Sequence, residues 1–74
     1  MDEDILKQLS DQIIISNRLY SNLIKEMKDK YPVEQYEIYS EKLAHMMALS
    51  FDILDELGKE YAHLNPYDYK QGDH

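Results

Sequence analysis

The sequence predicts an all-α chain folded as an antiparallel two-helix hairpin. Three observations carry that expectation. Apolar residues recur at intervals of three and four, the stripe of an amphipathic helix and not the period of two of a strand. The 74 residues hold only 2 glycines and 2 prolines, too little turn chemistry for an all-β chain. One of those prolines, Pro32, stands near the middle and divides two long periodic stretches.

The first stretch places Ile5, Leu6, Leu9, Ile13, Ile14, Leu19, Tyr20, Leu23, Ile24, Met27 and Tyr31 on a broad stripe. Ile13-Ile14-Ile15 has strand propensity, but both flanks keep helical period, so the triplet is read as helix. Asp2 or Asp4 can cap the start, and the acids Asp2, Glu3 and Asp4 suit the positive end of the helix dipole. Lys28 and Lys30 suit its negative end. This helix is expected over about 3–31.

Pro32 disfavours the α conformation at Tyr31 and fits the first position of a second helix. The second stripe runs through Tyr36, Tyr39, Leu43, Met46, Met47, Ser50, Ile53, Leu54, Leu57, Tyr61 and Leu64, giving a helix expected over about 32–64. Gly58 can end this helix early or merely weaken it. If it ends it, residues 59–64 can fold back as a short third helix. Asn65-Pro66 is the firmer stop, and residues 65–74 read as a polar and aromatic tail behind a 1–64 hairpin domain. So short a turn forces the helices to be antiparallel neighbours. The expected register sets Ile13 near Ser50 and Phe51, with Ser16 level with Ser50.

A lone hairpin of this size is marginal. Between Leu43 and Leu57 apolar residues wrap well over half of the second helix, and Ile14, Ile15 and Ile24 spill beyond one seam of the first. The first expected solution is self-association, most simply a symmetric dimer forming a four-helix bundle, with higher oligomers also open; the competing one is a hetero-complex in which another protein supplies the missing helices.

Charge narrows the partners. Acidic residues number 15 and basic residues 8, a formal net charge of −7. That sign repels phosphate and anionic lipid, so neither direct nucleic-acid binding nor membrane binding is expected. A basic protein partner is favoured instead. With 0 cysteines there is no thiolate chemistry or disulfide framework. The acidic start, Met1-Asp2-Glu3-Asp4, has the wrong sign for a secretory signal, so a cytoplasmic location is expected. No phosphate loop or nucleophile elbow occurs, and no enzyme activity and no cofactor are expected. The chain carries no family motif. Its size and acidity are common among small bacterial and bacteriophage regulators, a likeness of type that transfers no residue.

Three constellations remain. Glu34, Glu37 and Glu41, with Tyr36, Tyr39, Tyr67 and Tyr69, are candidates for contact with another protein, since tyrosine joins a large apolar ring to a polar tip. Arg18 with Asn17, Tyr20 and Asn22 is a candidate for holding a phosphate or nucleobase between subunits. Glu60 and His63 have the Glu-x-x-His spacing that puts two metal ligands on one helix face, although His63 falls near the polar line and at a helix end. The expected function is therefore a small acidic protein that acts by binding, as a protein inhibitor or adaptor. A ligand-binding oligomer with pockets between protomers is the alternative, and a helical carboxylate metal protein comes third.

Overall fold

The computed structural model describes residues 2–67. Helix α1 spans Glu3–Lys30 and helix α2 spans Val33–Glu60, followed by one turn of 3-10 helix at Ala62–Leu64. The described residues contain no strand, and none of their helices is long and apolar enough to cross a membrane.

The turn is made by two extended residues. Tyr31 (φ −111°, ψ 154°) takes the conformation that a following proline imposes, and its N–H still bonds the Met27 carbonyl at 2.9 Å. Pro32 is the N-cap of α2 and not its first helical residue, and the Tyr36 N–H bonds its carbonyl at 3.0 Å. At the other end of α1, Asp2 occupies the N-cap position but makes no side-chain cap bond, so its contribution is the charge it brings to the dipole.

Helix α2 stops at Glu60, short of the expected 64, although Gly58 does not end it. The helix runs through Gly58, whose φ is not positive. The chain then turns at Tyr61 and folds back, so that Leu64 is fully buried and Asn65 nearly so. Gly58 is needed for the approach: a Cβ there would lie 2.9 Å from the Cβ of Asn65. The expected start of a tail at Asn65 is instead a docked segment. The Ser10 hydroxyl donates to the Leu64 carbonyl at 2.7 Å, Asn65 Nδ2 donates to Asp55 Oδ1 at 2.9 Å, and the Tyr67 N–H donates to Asn65 Oδ1 at 3.1 Å. The Tyr67 ring meets Phe51 edge-on, with centroids 5.6 Å apart.

This third segment decides where the core forms. The buried hydrophobic residues are Leu6, Ile13, Leu54, Leu57 and Leu64, with Tyr61 packed against them. All lie at the open end of the hairpin, where α1, α2 and the returning segment meet. Toward the turn only two helices face each other, and from Arg18 to Ile53 no residue is fully buried. Two cylinders touching along one line cannot enclose a side chain, whereas three can.

A cross-helix polar contact joins Asn17 and Ser50. Asn17 is buried and its Nδ2 donates to Ser50 Oγ at 2.8 Å. Ser50 Oγ in turn lies 2.6 Å from the Met47 carbonyl, the shorter of its two acceptor contacts, and so places its one proton within its own preceding turn. Ser16 accepts from Gln12 Nε2 at 3.2 Å on the same helix.

Candidate functional site

The two sides of the hairpin differ. Each residue advances about 100° around its helix, so the stripes can be followed from the seam outward. On α1, Ile5, Leu9, Leu19 and Leu23 fall to one side of Leu6, Ile13 and Asn17. On α2, Tyr39, Met46, Leu49 and Ile53 fall to one side of Leu43, Ser50 and Leu54. Because the helices are antiparallel, both stripes point to the same side. All eight side chains are exposed, from 40% at Leu9 to 57% at Leu19. Between the apolar pairs of α1 stand only Gln12 and Ser16, uncharged and bonded to each other.

The opposite side is polar and carries the returning segment. Here Asn17, Arg18, Ser21, Asn22 and Lys25 of α1 line a shallow cleft with Met47 and Phe51 of α2 and Tyr67, about 350 Å³ in volume. Arg18 and Lys25 form no ion pair among the described residues. The cleft thus joins two cations, a side-chain amide and the rims of two aromatic rings, the groups that suit an anion attached to a flat ring.

Of the residues expected around a small ligand, the structure brings together Arg18, Asn17 and Asn22 but not Tyr20, which is half-buried in the seam. Asn17 is buried and already bonded to Ser50, so it supports the wall more than it faces a ligand. Ser21 and Lys25 were recoverable from sequence, since they stand three and seven residues after Arg18 on one helix face. Met47, Phe51 and Tyr67 were not, because their place depends on register and on the return of the chain.

The residues expected at a protein contact do not form one patch. Glu34, Glu37 and Glu41 are exposed along the outer edge of α2, where Asp52 continues the line. Tyr39 belongs to the apolar side, Tyr36 is half-buried in the seam, and Tyr67 lies on Phe51 at the other end. Tyr69 lies outside the described residues.

Glu60 and His63 do not share a helix face. Helix α2 ends at Glu60, and His63 sits in the 3-10 turn, where its Nε2 lies 3.0 Å from Glu3 Oε2. The spacing required an unbroken helix to 64, and the fold-back removes it. Among the described residues no group of three or more histidine and carboxylate side chains could hold a metal ion.

Compared with protein-family models, curated proteins and solved structures, the chain matches none of them.

Proposed function

We propose that this chain is a small non-enzymatic protein that acts by binding other protein surfaces, as an inhibitor or adaptor in the cytoplasm. The observation that carries the reading is the imbalance between core and surface. Among the described residues five hydrophobic side chains are buried, whereas eight large ones stand exposed on one side of the hairpin. A patch of that kind marks an association surface. Its flat, two-helix form suits other helices better than a small molecule, and a four-helix bundle is its simplest cover. With that side covered, the acidic edge of α2 at Glu34, Glu37, Glu41 and Asp52 still faces outward, toward a basic partner.

The test is affinity capture followed by quantified binding, comparing the native chain with the triple variant Glu34→Lys, Glu37→Lys, Glu41→Lys. The expected result is a basic protein retained by the native chain, released by moderate salt and lost in the variant. Equal retention by both would overturn the electrostatic part of the reading.

The cleft around Arg18 favours a second reading, a ligand-binding protein for small aromatic anions such as nucleotides. Nucleotides should then raise the melting temperature of the native chain and leave Arg18→Ala unchanged. No shift with any nucleotide would exclude it.

A further inference from the structure

We propose that the occupant of the apolar side is a second copy of this chain, docked face to face so that two hairpins make a four-helix bundle. The proposal rests on the reading of that side as a protein-binding surface and names its partner. Three observations point to a copy of the same chain.

The first is area. Eight large side chains, each about half exposed, amount to roughly 700 Å² of surface. A stable interface of standard size buries about 800 Å² on each partner, so this one face supplies nearly what a symmetric dimer needs. It also exceeds the apolar patch of a typical monomer, about 300–600 Å².

The second is charge. A chain of net charge −7 repels its own copy over most of its surface. Close approach is possible where acids are few, and the apolar side from Ile53 to the turn is that place; toward the open end the same stripe of α2 continues into Glu56, paired with Lys59 at 3.2 Å, and Glu60. Between Ile5 and Leu23 the apolar side holds only Gln12 and Ser16 besides hydrophobic residues, and these already satisfy each other at 3.2 Å. Between Tyr39 and Ile53 one charge stands on it, Lys42, a cation that meets an acidic copy favourably. At its margins Glu26 and Lys30 are paired at 3.5 Å. The acidic edge of Glu34, Glu37, Glu41 and Asp52 points away from it.

The third is the fold's own deficit. Among the described residues full burial occurs only at the open end, where a third segment covers the seam on the polar side. From Arg18 to Ile53 nothing is fully buried, and helices laid against the apolar side would enclose Leu43, Ile24 and Met27 as a third segment encloses Leu54. Docking a second hairpin thus extends one core along the whole length of both chains.

The experiment is sedimentation equilibrium of the full chain at tens of micromolar, joined to isotope-filtered NMR on a mixture of labelled and unlabelled chains. The expected mass is twice the 8.8 kDa of the chain. Intermolecular contacts should centre on the methyl groups and ring of the eight exposed residues and reach the half-buried Ile24, Met27 and Leu43 beneath them. Leu19→Glu and Leu49→Glu should each weaken association at least about 100-fold, because each buries a carboxylate in an apolar contact. Both positions are exposed in the single hairpin, so helical circular dichroism should persist. Arg18→Glu, on the opposite side, should leave the dimer intact. A monomer at every concentration would overturn the proposal, as would a dimer whose contacts surround Arg18. If the chain is monomeric yet still captures a basic protein through Glu34, Glu37 and Glu41, the second copy fails and the broader binding function stands.

Discussion

At the scale of single residues, Gly58 has the sharpest consequence. Two effects oppose each other when it becomes alanine. Alanine is the better helix former by about 1 kcal/mol. Its Cβ would meet the Asn65 Cβ at 2.9 Å, and Asn65 is buried and tied to Asp55. Overpacking at such a site costs about 1–3 kcal/mol. Gly58→Ala is therefore expected to destabilise the chain by up to about 2 kcal/mol in denaturant unfolding, the overpacking cost less the gain in helix propensity. In an Asn65→Gly background the collision disappears and the same substitution should stabilise by up to about 1 kcal/mol. A sign that does not reverse between the two backgrounds would show that Asn65 is not what requires glycine. The remaining buried polar residues, Ser10 and Asn17, each have partners, and among the described residues no buried side-chain nitrogen or oxygen lacks one. They fix how the segments meet more than they add net stability.

At the scale of elements, the returning segment matters more than its length suggests. Leu64 is 2% exposed and closes the core against Leu6, Ile13, Leu54 and Leu57. Leu64→Ala should cost about 2–4 kcal/mol, a lower denaturant midpoint with little loss of helical signal before unfolding. A cost within about 0.5 kcal/mol, the level of a surface substitution, would mean that the segment is not docked. The helices themselves were legible: spacing of threes and fours, the acids at the start of α1 and the conformational restriction before Pro32 are local signals, and each acts within a turn or two of its own residue. The return was legible as a stop and, in one reading, as a fold-back of residues 59–64, but that fold-back was tied to a break at Gly58 that does not occur. Asn65-Pro66 ends a helix in any sequence, but its docking depends on the room left by Gly58, seven residues earlier in sequence and in van der Waals contact only after folding. The same limit applied at the cleft. Arg18 and Asn22 could be grouped from their own helix, whereas Phe51 and Tyr67 join them through register and fold-back. Tyr36 and Tyr39 show the complementary limit: adjacent in composition, they were grouped together, yet they belong to the seam and to the apolar side respectively.

At the scale of the whole molecule, charge and apolar area act against each other, and their balance is measurable. The ion pairs Lys7–Asp11, Glu26–Lys30 and Glu56–Lys59 are exposed and contribute at most a few tenths of a kcal/mol each, so salt removes little by screening them. Salt removes much more from the repulsion between copies, since each carries −7. Raising ionic strength from about 0.01 M to about 0.1 M shortens the screening length from about 30 Å to about 10 Å, less than the span of a helix of 28 residues. Apolar contact is not weakened by the same change. Both the midpoint of thermal unfolding and the fraction of dimer should therefore rise with salt. The midpoint should also rise with protein concentration, because association stabilises the folded chain by mass action. Calorimetry over a range of both variables checks this directly. A midpoint that falls with salt would mean that attraction between opposite charges holds the copies together, and the apolar side would then not be the contact. A midpoint independent of concentration would mean that folding is complete in the single chain, with the five-residue core at the open end sufficient to stabilise both helices.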